Sequence, residues 1–216
     1  MLLLLTGCTG FPQGFVNLNF ESAKILPISG GNYGLYSIAS TNALPGWTVY
    51  FGAVQQTQIT YNDPAIGSTF VTLWATNGQN ISGNYSVLLQ GGLGASAATI
   101  SQTALTPIGA ESILFKAQYS GPIGLGEFLV SMNGQNIPLT ALSSGSNYTL
   151  YGGDVSGYAG QTAQLNFSAP NLGHDNDWNL DDIVFSSSPI PEPSSFALFG
   201  VGALLLSLFR QRSDLR

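Results

Sequence analysis

Charged side chains are scarce in this chain. Five Lys and Arg and eleven Asp and Glu among 216 residues make 7%, against about 25% in an average soluble protein. So little charge excludes a charge-driven disordered chain, a coiled coil, and a nucleic-acid binder that works by neutralising phosphates. There is one cysteine, Cys8, so an intrachain disulfide and a thiolate metal cluster are both excluded. There is one histidine, His174, and no Gly-x-Ser-x-Gly elbow precedes it, which leaves Ser-His-Asp chemistry without a frame. No stretch between Phe11 and Phe185 carries a convincing 3.6-residue period, and no repeat of solenoid length is present.

Polarity is supplied instead by 24 Ser, 15 Thr, 15 Asn and 12 Gln, with 27 Gly beside them. Neutral hydrogen-bonding side chains in such numbers suit an exported β protein. The charge is also uneven: Arg210, Arg212 and Arg216 close the chain, and up to Pro189 nine carboxylates face only Lys24 and Lys116. An acidic body does not recruit nucleic acid or an anionic membrane surface, though it could hold cations.

Strict alternation recurs through the body. In Ser112–Tyr119, Ile113, Phe115, Ala117 and Tyr119 share one face; in Thr162–Ser168, Ala163, Leu165 and Phe167 point inward. Comparable runs at 47–51, 56–61, 69–74, 85–90, 97–103, 127–132, 147–151 and 178–185 bring the expected strands to about ten. Met132-Asn133-Gly134-Gln135 predicts a two-residue hairpin turn, because Asn and Gly accept φ > 0. Many antiparallel strands without crossover helices predict an all-β, two-sheet antiparallel sandwich, most simply a jelly roll. Three segments follow: 1–12 as the remnant of an entry signal, 13–187 as the sandwich, and 188–216 as a Pro-rich linker with a C-terminal signal.

After Phe185 a Ser/Pro stretch leads to the uncharged run 194–209, followed at once by Arg210 and Arg212. As a helix, that run rises about 24 Å, short of the roughly 30 Å hydrocarbon core. It is a marginal permanent anchor, and the cations behind it place the body outside the inner membrane. Pro191-Glu192-Pro193, the apolar run and the Arg-bearing tail together resemble the PEP-CTERM sorting signal of Gram-negative, exopolysaccharide-making bacteria. That resemblance implies recognition by an exosortase, cleavage near Pro191-Glu192-Pro193, transient anchoring in the inner membrane, and delivery to the cell surface or extracellular matrix. At the other end, Met1–Cys8 offers only Leu2 to Leu5 as an apolar stretch. Either the chain starts inside a longer signal peptide, which is the favoured reading, or Leu5-Thr6-Gly7-Cys8 is a lipobox with Cys8 acylated.

The body carries its own resemblance. Asn17-Leu18-Asn19-Phe20-Glu21, Leu44-Pro45-Gly46-Trp47, Gly83-Asn84-Tyr85-Ser86 and Leu180-Asp181-Asp182-Ile183 follow the order seen in galactose-binding-like and carbohydrate-binding jelly rolls, with Leu18 where the family tends to have Gly. It implies a structural calcium ion held by Glu21, Asp181 or Asp182, and the carbonyl of Asn19, a hard-oxygen set that suits calcium. Against this, Asp181 and Asp182 can simply keep a strand edge soluble. Alternation sends them to opposite faces, so one at most is expected at the ion. His174-Asp175-Asn176-Asp177 lacks the bidentate Glu of an EF-hand and reads as a solvated loop.

For a carbohydrate partner, Trp74, Tyr61 and Tyr85 are the expected stacking residues, whereas Trp47 and Trp178 suit the core. Glu111, Glu127 and Asp154 fit a glycosidase by residue type alone, and nothing pairs them. The expectation is a non-catalytic surface or matrix protein associated with exopolysaccharide or biofilm; a calcium-stabilised carbohydrate-binding module is the alternative, and a glycan-cleaving enzyme stands behind both.

Overall fold

The computed structural model describes residues 14–28, 36–64, 68–75, 80–92 and 96–190. In chain order the strands begin with β1 (Pro27–Ile28), β2 (Ser37–Ala39), β3 (Thr48–Phe51), β4 (Val54–Gln56), β5 (Gln58–Tyr61), β6 (Phe70–Trp74) and β7 (Ser86–Gln90). They continue with β8 (Ala98–Leu105), β9 (Ser112–Tyr119), β10 (Leu129–Met132), β11 (Gln135–Asn136), β12 (Thr140–Ser144), β13 (Thr149–Asp154), β14 (Thr162–Ala169) and β15 (Asp177–Ser186). A four-residue helix, α1 (Ser40–Ala43), is the one α-helix among the described residues.

These strands form a sandwich. One sheet has nine strands in the order β1-β2-β5-β6-β7-β15-β9-β13-β12, and the other has six in the order β11-β10-β14-β8-β3-β4. All strand pairs are antiparallel except β5 with β6. The ten alternating runs read from the sequence all appear as strands, β9 with the expected bounds and β14 one residue longer. Short strands such as β1 and β2 show no period in the sequence.

Alternation builds the core. Ile113, Phe115 and Ala117 of β9 face Ala163, Leu165 and Phe167 of β14, all at most 1% exposed. Phe115 and Phe167 meet edge to face at 5.2 Å between centroids, and Trp178 stacks on Phe128 at 5.1 Å. Such pairs add about 0.5–1.5 kcal/mol beyond the area they bury. Trp47 sits among Phe20 and Phe167, its indole N–H donating to the Asn17 carbonyl at 3.0 Å. At the expected hairpin, Met132 pairs with Gln135 across Asn133 (φ 50°) and Gly134 (φ 76°), the positive-φ turn that matches strand twist.

Two expectations yield to the structure. The run 174–177 is not wholly solvated: Asn176 is fully buried. Its amide donates to the carbonyls of Glu127 and Pro170, and its oxygen accepts from the Glu127 N–H and the Trp178 indole. A buried Asn with both ends satisfied costs little, and here it pins the loop before β15. Alternation also fails at Asp181-Asp182, because β15 carries an irregularity between Asp181 and Val184 in its pairing with β9. Asp182 takes φ 46°, and the Ile183 N–H leaves the ladder to reach the Leu18 carbonyl at 2.9 Å.

β15 ends at Ser186, and the chain stays against the sandwich beyond it, with the Ile190 side chain over Gly152 of β13. The Ser112 hydroxyl donates to the Ser188 carbonyl at 2.7 Å. Pro191, Glu192, Pro193, Arg210, Arg212, the run 194–209 and Cys8 lie outside the described residues. Among the described residues, no helix is long and apolar enough to cross a membrane.

Candidate functional site

Two of the acidic residues singled out in the sequence, Glu21 and Asp181, converge on one stretch of the nine-stranded sheet, at the turn between β6 and β7. Glu21, in the loop before β1, accepts from the backbone N–H groups of Asn84 (2.7 Å) and Tyr85 (3.0 Å) and from the Asn84 amide (2.8 Å). Asp181 approaches the same turn from β15, accepting from the Ser82 N–H (3.0 Å) and the Ser86 hydroxyl (2.7 Å). Two carboxylates thus clamp residues 82–86 from either side. Gly83 is required there: its φ is 53°, and a Cβ would collide with the Glu21 carboxylate.

Asp181 is 1% exposed, and burial pushes its carboxyl up to about 7, ahead of the opposing hydrogen bonds from Ser86, Asp182 and Ser82. Its remaining oxygen takes the Asp182 N–H at 2.7 Å. The carboxylates named for calcium are engaged within the protein. Both oxygens of Glu21 and of Asp181 accept from protein donors, and Asp182 Oδ2 accepts from Lys116. Among the described residues, no three acidic, His or Cys side chains group as metal ligands do.

The three rings expected to stack on sugar do not share a face. Tyr61 and Tyr85 are half-buried and pack against the core, with Tyr61 tilted on Tyr36 at 5.6 Å. Burial first, then Tyr61 and Glu21, raise the Tyr85 phenol above its ordinary value. Trp74 follows Leu73, the register partner of Tyr61, and so turns to the opposite side of the sheet, where it is 8% exposed. Its indole N–H has no partner among the described residues.

A second site was not legible from the sequence. The irregularity in β15 aims Asp182 at Lys116 of β9, whose ammonium donates to Asp182 Oδ2 at 2.7 Å with the two side chains 25% and 32% exposed. The hydrogen bond it donates to Asp182 heads the causes that raise the pKa of Lys116, and the Tyr148 ring centroid lies 4.8 Å from the ammonium. The pair stands in an open groove of about 520 Å³ lined also by Leu18, Asn19, Leu114, Leu150 and Val184. The sequence offers one signal for it: Lys116 is one of two cations up to Pro189. The expected glycosidase carboxylates are elsewhere, with Asp154 accepting from the Ser156 N–H at 2.9 Å. His174 stands in the loop before β15, its Nδ1 3.1 Å from the Asp175 carbonyl.

Comparison with known proteins places the tail in a class. Residues 189–213 match the PEP-CTERM protein-sorting motif. The chain is thereby marked for recognition by exosortase, transient anchoring in the inner membrane, and delivery to the surface or extracellular space of a Gram-negative bacterium. No curated protein matches the chain. Among solved structures, the enzymatically active domain of tailspike protein 4 of bacteriophage CBA120 is similar with a TM-score of 0.39 and 16% identity. That alignment covers 66% of this chain and 19% of the tailspike chain, so the present chain spans about a fifth of it.

Proposed function

We propose that this is a non-catalytic protein of the cell surface or extracellular matrix, a galactose-binding-like sandwich that reaches its place through an exosortase, is cleaved near Pro191-Glu192-Pro193, and associates there with exopolysaccharide. The observation that carries the reading is the sorting motif at 189–213, which follows the last strand of the sandwich. An acidic body with neutral hydrogen-bonding side chains supports a hydroxyl-rich rather than an anionic partner.

Deleting residues 189–213 tests the address. The sandwich is expected to lose surface delivery while keeping its melting temperature; unchanged surface delivery overturns the reading. Catalysis is tested apart from this. Glycan cleavage that disappears in Glu111→Gln, Glu127→Gln or Asp154→Asn would replace the binding role with an enzymatic one.

A further inference from the structure

We propose that the groove holding the Lys116–Asp182 pair binds a neutral hexose unit of the polysaccharide; the inference gives a site to the partner proposed above and rests on that reading. Three features set this groove apart from an ordinary surface hollow. Its size lies within the roughly 300–1,000 Å³ of small-ligand sites, and its walls are apolar with a few polar groups converging. It is built around the irregularity in β15, where a non-glycine residue is held at φ 46°, and departures of this kind cluster at functional positions. It also contains the one salt bridge found among the described residues, in a body with two lysines.

The chemistry selects the ligand. An ammonium beside a carboxylate suits two neighbouring hydroxyls: one accepts from Lys116, which has donors beyond the one given to Asp182, and the other donates to Asp182. Leu114, Leu150 and Val184 offer the apolar surface that the C–H face of a sugar ring covers, and Asn19 adds a further polar side chain to the lining. Tyr148 holds the lysine head in place from the side. Uronates and sulfated sugars are disfavoured, because Lys116 is already neutralised by Asp182 and the surrounding body carries nine carboxylates against two lysines up to Pro189.

The test is affinity electrophoresis of the full chain in detergent, through gels containing dextran, mannan or galactan, with alginate as the acidic comparator. Two variants are run beside it. Val184→Trp fills the groove from a position 52% exposed, and Asp182→Asn removes the carboxylate; melting temperatures confirm that both are folded. The expected result is retardation of the wild type by at least one neutral polymer and a tenfold or greater weakening in both variants. Equal retardation of wild type and folded variants overturns the groove and leaves the polysaccharide reading standing. Retardation by alginate alone overturns the neutral-hexose assignment. If none of the four polymers retards the wild type, the groove proposal and the polysaccharide reading both fail, while the sorting assignment, tested separately, is untouched.

Discussion

Asp181 shows what a single buried carboxyl does to this protein. Its pKa is raised from 3.8 to about 7, with burial the leading cause. The folded state therefore keeps a proton that the unfolded chain releases near pH 4, and acid favours folding between those two values. Stability is expected to fall as pH rises from about 4 to about 7 and to level off above. Asp177, raised to about 6 by burial, pushes in the same direction. Thermal melts at pH 5 and pH 8 check this: the wild type melts lower at pH 8, and Asp181→Asn shows a flatter profile. A wild-type melting temperature that climbs over this interval contradicts the assignment. On the other side of the clamp, Glu21→Ala hands the Asn84 and Tyr85 N–H groups from the carboxylate to water, and each such exchange costs about 0.5–1.5 kcal/mol. Hydrogen exchange at those two amides should accelerate in the variant. Because the carboxylates are already occupied, a chelator is expected to leave the melting temperature of the wild type unchanged.

At the scale of elements, the hairpin at Asn133-Gly134 isolates one effect. A Cβ on Gly134 would meet no atom within 4 Å, yet its φ is 76°. Gly134→Ala should therefore destabilise by about 1–2 kcal/mol through backbone conformation alone, a shift readable in urea melts. Phe167 is the opposite case: fully buried among Trp47, Phe115 and Phe128, it should cost about 3–5 kcal/mol when cut to Ala. Both elements were legible in the sequence, one from two residues able to adopt positive φ and the other from strict alternation in Thr162–Ser168. What stayed hidden has physical causes. Strands of two or three residues, such as β1 and β2, are too short to show a period. The irregularity after Asp181 breaks the period at the residues from which the site was being inferred. Asn176 looked solvated because a polar side chain gives no sign in sequence that four partners await it in the core.

For the whole molecule, address and activity were legible to different degrees. The sorting tail is contiguous, its Pro191-Glu192-Pro193, apolar run and arginines lying within 26 residues, so sequence alone displayed it. The groove is not contiguous: Leu18 and Asn19, Leu114 and Lys116, Leu150, and Asp182 to Val184 come from four separate parts of the chain and meet only through the sheet. The sandwich between them serves as a platform. An inner strand of the nine-stranded sheet, β15, carries Asp181 and Asp182 and leads directly into the linker, so the candidate site and the exit of the sorting tail are set by one strand. The most direct test is the mass and location of the full chain expressed in a Gram-negative host with its exosortase and in the same host lacking it. With the enzyme, a species shortened near Pro191-Glu192-Pro193 is expected in the surface or extracellular fraction; without it, the uncut chain is expected in the inner membrane. An identical mass and distribution in both hosts would contradict the central claim.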